Sequence, residues 1–164
     1  MMYLRRTVPM TIVLLLAMVV AACGSSTSSG SSTSSSTPTP AATTPSSSNA
    51  LVKTATATVK GKSETVLTNA QGKTLYYFTP DTATTSACTS SCAQNWPPLL
   101  APGSGTPTSA TTLPGKLGTQ TTANGNQVEY NGHLLYTFAA DSAPGQTNGE
   151  GVLGKWFVAT PDLK

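Results

Sequence analysis

Beyond residue 22 the chain has no methionine and no arginine, only one histidine, His133, and only six carboxylates. Aromatic residues make up 6% of the whole and charged residues 9%. Each scarcity removes a class of function. The formal charge of +3 falls to +1 over residues 23–164, where seven Lys face six Asp and Glu. No Lys/Arg cluster is left to meet phosphates, so no nucleic-acid partner is expected. One imidazole and few carboxylates leave little material for general acid–base pairs. Residues 51–164 contain no Gly-x-Ser-x-Gly elbow and no Gly-x₄-Gly-Lys-Ser/Thr loop. No catalytic residue is assigned, and an enzyme is not expected. No long stretch repeats its apolar residues every 3.6 positions, which argues against a helical bundle. The one apolar run, Thr11–Val20, is half the roughly 20 residues that a membrane-spanning helix needs.

What is present begins with that run. Arg5 and Arg6 precede it, and "VAAC" (Val20–Cys23) follows it, the layout of an export signal over residues 1–22. Small residues directly before a cysteine resemble the lipobox of bacterial lipoproteins, with Val20 where leucine is usual. The resemblance implies cleavage before Cys23, a diacylglycerol on its thiol and a fatty acid such as palmitate on its amino group. Two or three acyl chains, each CH₂ contributing about 0.8 kcal/mol, hold a protein stably on a bilayer. The expected location is the extracytoplasmic face of the bacterial cell membrane, with the membrane itself as partner through Cys23. Residues 23–50 then form a linker. Of the 26 residues 24–49, 12 are Ser, 6 Thr and 3 Pro, with no aromatic or large aliphatic side chain. Such a segment buries too little apolar area to offset its ordering entropy, so it is expected to be a disordered tether.

The β-rich domain is expected over residues 51–164. "VKTATATVKG" and "ETVLTN" are rich in β-branched residues and alternate as strands do. "AQGK" supplies a turn at Gly72, and "TLYYFT" is a third strand ended by Pro80. The plan then recurs: "KLGTQTT", turn "ANGN", "QVEY", the hairpin signal Asn131-Gly132, "HLLYTF" and a closing strand "KWFVAT". In the first copy the closing place holds "NWPPLL", whose Pro97 and Pro98 read as a poor ladder member or edge segment. "TSACTSSCAQNW" has room for one short helical turn. The fold class is mostly β: two tandem three-stranded meanders, repeat one over 51–105 and repeat two over 113–164, packed face to face around one shared core. A single meander has too little apolar surface to stand alone.

The repeats share a motif at a constant offset of 60. Tyr76, Phe78 and Asp81 recur as Tyr136, Phe138 and Asp141, and Trp96 as Trp156. Alternation puts Tyr76 with Phe78 on one strand face, and Tyr136 with Phe138 likewise, where they read as core. The alternative is an aromatic ligand shelf. Asp81 and Asp141 open long loops and are placed to accept backbone N–H bonds there. Asp141, Asn148 and Glu150 offer oxygens for a Ca²⁺ ion, in a spacing unlike an EF-hand. Trp96 and Trp156 read as core or core edge. Cys88 and Cys92, four apart, suit either a small structural disulfide in an oxidising compartment or a thiol redox or copper site with His133 as third ligand.

These residues resemble the bacterial lipoprotein family called "secreted repeat of unknown function". The family carries Tyr-x-aromatic-x-x-Asp, here at Tyr76–Asp81 and Tyr136–Asp141. It also carries Cys-x₃-Cys…Trp-Pro-Pro, here Cys88, Cys92, Trp96, Pro97 and Pro98, and "PGxTxGxG", here Pro144–Gly151. The resemblance implies an envelope lipoprotein with tandem repeats and no assigned reaction. The sequence therefore points to a lipid-anchored binding or structural module outside the membrane, with cell-wall or envelope components as partners and no cofactor. The alternative is a redox or copper-handling lipoprotein using Cys88, Cys92 and His133.

Overall fold

The computed structural model describes residues 49–164. The export signal, Cys23 and the linker up to residue 48 lie outside the described residues. Seven strands follow in order: β1 (Val52–Val59), β2 (Lys62–Asn69), β3 (Tyr76–Phe78), β4 (Leu117–Thr122), β5 (Gly125–Tyr130), β6 (His133–Leu134) and β7 (Trp156–Val158). A short helix, α1 (Ser91–Asn95), lies between β3 and β4. Among the described residues no helix is long and apolar enough to cross a membrane.

Each repeat contains a hairpin whose turn chemistry is visible. β1 and β2 pair antiparallel through Lys60-Gly61, both at positive φ, 48° and 80°. β5 and β6 join through Asn131-Gly132, at 50° and 82°, the two positive values that a type I′ turn requires. β4, β5 and β6 form a three-stranded meander. In repeat one the third strand is tied more thinly to β2, by a bridge between Thr68 and Thr74.

The protein is mostly β, built of two tandem repeats that both contribute to each core cluster. They meet edge to edge and exchange their closing segments. Tyr76 and Tyr136 form a reciprocal backbone pair, with N–H to O distances of 2.8 and 2.9 Å in the two directions. β7, from repeat two, pairs with β3 of repeat one, Tyr77 opposite Phe157. The "WPPLL" segment of repeat one pairs in turn with repeat two: Leu99 N–H donates to the Leu135 carbonyl (2.9 Å), and Thr137 N–H to the Pro97 carbonyl (2.9 Å). The segment makes isolated bridges rather than a strand, as expected of a poor ladder member, but it is bonded on both sides and is not an edge. The missing donors of Pro97 and Pro98 are not needed, because Pro97 contributes only its carbonyl and the flanking Leu99 supplies the N–H.

Each exchange creates a three-way junction. Leu75 N–H donates to Leu67 O, Leu67 N–H to Ala159 O, and Ala159 N–H to Leu75 O, a closed ring of three bonds of 2.8–2.9 Å. Repeat two has the same ring through Leu135, Val128 and Leu99. The third strands are consequently shorter than alternation predicts, because Leu75 and Leu135 bond to two different strands rather than continuing one ladder.

Both faces of the motif strand are buried. One cluster gathers Tyr76, Tyr136, Trp96, Trp156, Cys88 and Val66, with Phe78 and Phe138 packed against it. The other gathers Leu67, Leu75, Val128, Tyr130, Leu135 and Ala159. Each large apolar side chain taken out of water contributes about 1.5–3 kcal/mol, and both clusters draw on residues of the two repeats.

Candidate functional site

The repeated motif residues converge where the two repeats cross. Trp96 and Trp156 stack face to face, centroids 3.7 Å apart and planes 1° from parallel. Phe78 lies on Trp156 at 4.2 Å, and Phe138 on Trp96 at 4.2 Å. The result is a four-ring stack, Phe138–Trp96–Trp156–Phe78, in which each Phe covers the tryptophan of the other repeat. Tyr76 meets Trp96 edge-on at 5.4 Å, and Tyr136 meets Trp156 edge-on at 5.2 Å, geometries that the ring quadrupoles favour.

The carboxylates are crossed in the same way. Tyr76 Oη–H donates to Asp141 Oδ2 and Tyr136 Oη–H to Asp81 Oδ2, each at 2.6 Å. The second oxygen of each Asp holds its own loop: Asp81 Oδ1 accepts from Ala87 N–H (2.7 Å), and Asp141 Oδ1 from Asn148 N–H (3.0 Å). Each Asp thus caps the loop that follows it and grips a tyrosine of the opposite repeat. Asp141 is fully buried, and Asp81 half-buried. Burial pushes the Asp81 carboxyl up from its ordinary range, while the Tyr136 hydroxyl and the Ala87 N–H pull it back. Burial, and then the neighbouring carboxylate, raise both the Tyr76 and Tyr136 hydroxyls far above a free tyrosine. Deprotonating either would put two negative charges in one apolar space, so each pair is held as protonated Tyr with Asp as acceptor.

The crossing of the pairs was missed in the sequence. The available signal was that Tyr and Asp recur together at fixed spacing, with a buried hydroxyl that needs an acceptor. Asn124 and Ser86 were missed as well. Ser86 Oγ lies 2.8 Å from Tyr136 Oη, and Asn124 Nδ2 donates to Ser86 Oγ (3.0 Å) and to the Cys88 carbonyl (2.9 Å), tying repeat two to the cysteine loop of repeat one.

Cys88 and Cys92 form a disulfide, with Cys88 fully buried beside the aromatic stack. His133 is engaged elsewhere: Nε2 lies 3.0 Å from the Lys164 carbonyl, and its ring sits edge-on to Tyr77 at 4.9 Å. Cys88, Cys92 and His133 are not gathered into a ligand set. The Asp141–Asn148–Glu150 oxygen set is not assembled either. Asp141 accepts from Tyr76 and Asn148 N–H, while Glu150 accepts from Val158 N–H at 2.7 Å and pairs with Lys60 at 2.8 Å. Among the described residues no group of three or more His, Cys, Asp or Glu is placed to hold a metal. Lipidation of Cys23 lies outside the described residues.

One surface hollow, about 480 Å³, is an open groove lined by Glu64, Thr65, Pro114, Thr160, Pro161 and Asp162, none of them a member of the crossed pairs.

Neither a curated protein nor a solved structure matches the chain. The family described as a secreted repeat of unknown function matches it twice, over residues 57–100 and 118–160. Those spans hold both copies of Tyr, Phe, Asp and Trp at the crossing. A family of secreted repeats points to an extracytoplasmic location. The chain belongs to the secreted repeat family of unknown function, as a tandem pair of its repeats.

Proposed function

We propose that this protein is a lipid-anchored, non-enzymatic module of the bacterial envelope, held outside the cytoplasmic membrane by Cys23 and presenting its domain to envelope components at the end of the residue 24–49 tether. The observation that carries the non-enzymatic reading is the crossing itself. The polar groups most suggestive of chemistry, Tyr76, Tyr136, Asp81 and Asp141, spend their hydrogen bonds on each other and on loop backbone. Anchoring is supported by the "VAAC" sequence after an apolar run and by membership in a family of secreted repeats.

The test is metabolic labelling with a palmitate analogue in bacteria expressing the whole chain and its Cys23→Ser variant. The expected result is label and membrane recovery for the parent, and neither for the variant. Equal label in both, or none in the parent, removes the anchor. The redox reading has its own test in the thiol count described below.

A further inference from the structure

The chain passes from one half of the domain, residues 50–101, to the other, residues 107–164, through an exposed hinge. Residues 102–106, Pro-Gly-Ser-Gly-Thr, all lie in solvent. Gly103 has a φ of +64° and open space where a side chain would stand, and a Cβ at Gly105 would meet only the Pro102 carbonyl, at 3.9 Å. On either side of the hinge the backbone is tied across the domain. Ala101 N–H donates to Asn126 O (2.9 Å), Leu51 N–H to Thr108 O (3.0 Å) and Ala110 N–H to Val52 O (2.9 Å). Like the β3–β7 ladder and the reciprocal Tyr76–Tyr136 pair, each of these bonds joins a residue before the hinge to one after it. None of them runs through the hinge. All are satisfied equally whether the two halves belong to one chain or to two.

The halves are alike where they meet, but they are not interchangeable. The crossed Tyr–Asp pairs and the stacked tryptophans repeat across the pseudo-two-fold. Two polar ties do not. Asn124, the second residue of the β4–β5 turn, donates to Ser86 Oγ and to the Cys88 carbonyl, whereas Gly61 holds that place in the β1–β2 turn. Lys60, the first residue of the β1–β2 turn, pairs with Glu150 at 2.8 Å, whereas Ala123 holds that place in the β4–β5 turn. Each tie takes one residue from each half. A pairing of two first halves, or of two second halves, would lose both. A second copy of the chain therefore fits this surface in one way, first half to second, and two copies paired so complete each other twice over with no surface left open.

We propose that two copies of this chain exchange halves into a closed dimer, residues 50–101 of each pairing with residues 107–164 of the other, with the 102–106 hinge opened. The choice between closing alone and closing with a neighbour is made during folding. Before β7 is in place, β3 and the Leu67–Leu75 edge lack their last partner, and the β7 of a neighbouring copy fits there as well as the chain's own. Closure within a chain is independent of protein concentration, and closure between chains is not, so crowding favours the dimer. Once either form has closed, interconversion requires breaking every tie named above. The exchange depends neither on Cys23 nor on the absence of chemistry at the crossed pairs, so its failure and the failure of the anchored-module reading are separate results.

The experiment uses the complete chain, in detergent, prepared with two different affinity tags. The two preparations are unfolded without reductant, then either refolded together or refolded separately and mixed. Both tags are expected on one particle only after refolding together. Sharing of a micelle would instead appear in both orders of mixing. A tenfold higher protein concentration during refolding should raise the ratio of doubly tagged dimer to monomer about tenfold while monomer predominates. The surface is identified by giving one preparation Tyr77→Cys and the other Phe157→Cys, positions opposite each other in the β3–β7 ladder. These are refolded at pH 5, where thiols stay protonated, and oxidised afterwards. A disulfide between the two preparations is expected, well above the yield of Tyr77→Cys with itself. The proposal is overturned if the parent never joins its tags, if it joins them equally in both orders of mixing, or if folded Tyr77→Cys and Phe157→Cys cross-link no more than Tyr77→Cys does with itself.

Discussion

Replacing Tyr76 by Phe deletes one oxygen and leaves the ring against Trp96, so it isolates the crossed hydrogen bond from the packing around it. The lost bond, 2.6 Å long, is made to a carboxylate that is fully buried and whose other oxygen is committed to Asn148 N–H. Gly149 N–H loses its acceptor too, at 3.3 Å. A hydrogen bond to a charged group contributes about 1.5–3 kcal/mol, and an orphaned buried acceptor moves the cost to the upper end. For a domain of this size that corresponds to a fall in Tm of roughly 5–15 °C. Tyr136→Phe orphans Asp81 instead, which is only half-buried and is reached by water, so about 1 kcal/mol is expected. The two variants also differ from a packing defect in their response to pH. Asp81 already sits above its unfolded value because of burial, and loses in Tyr136→Phe the hydroxyl that holds it down. A raised folded pKa gives stability that is present below the unfolded value, near 4, and is lost as pH rises through the folded one. The deficit of Tyr136→Phe is therefore larger at pH 7 than at pH 3. Chemical denaturation of the parent and both variants at the two pH values measures this. Equal losses in the two variants, a larger loss in Tyr136→Phe, or losses within 0.5 kcal/mol of zero in both would refute the reasoning.

Three further outcomes follow from the same geometry. Tyr76 and Tyr136 stay protonated above pH 10, where an unfolded chain ionises, so stability held below that pH declines as pH rises, and absorbance at 295 nm should show both hydroxyls titrating only together with unfolding. Native protein without reductant should give no reactive thiol from Cys88 or Cys92, and the Cys88→Ser/Cys92→Ser variant should lose roughly 2 kcal/mol, the chain-entropy value for so short a loop. Two freely reacting thiols would instead support the redox alternative. A Cβ at Gly149 would lie 2.8 Å from both Trp96 Cη2 and Tyr76 Cε1, so Gly149→Ala should cost about 1–3 kcal/mol and disturb the near-ultraviolet signal of the stack.

The repeats, most of the strands and the hairpin at Asn131-Gly132 were legible because each rests on local chemistry: β-branched alternation, or a glycine where φ must be positive. The exchange of closing segments was not. A repeat of period 60 tells that two closing strands exist, but alternation is the same whichever sheet each one joins. Pro97 and Pro98 pointed away from pairing, because counting N–H donors ignores the carbonyl that Pro97 supplies. The two-sided burial of the motif strand was half visible. Leu75 and Leu135 are apolar on the face opposite Tyr76 and Tyr136, yet Tyr77 and Thr137 on that same face read as solvent-leaning. The contacts of Phe157 and His133 with Tyr77 were not legible, since the three become neighbours only through β7 crossing over and β6 closing beside it.

The junction at Leu67, Leu75 and Ala159 carries a consequence for how such a chain is made. The hairpin nearest the N-terminus is completed by Ala159, which lies 92 positions beyond Leu67. A polypeptide emerging from its N-terminus therefore cannot complete this junction until Ala159 has followed. Contacts this distant in sequence form slowly. The first hairpin gains its third partner only once the closing segment of the second repeat is within reach, so the two repeats complete each other rather than folding one after the other.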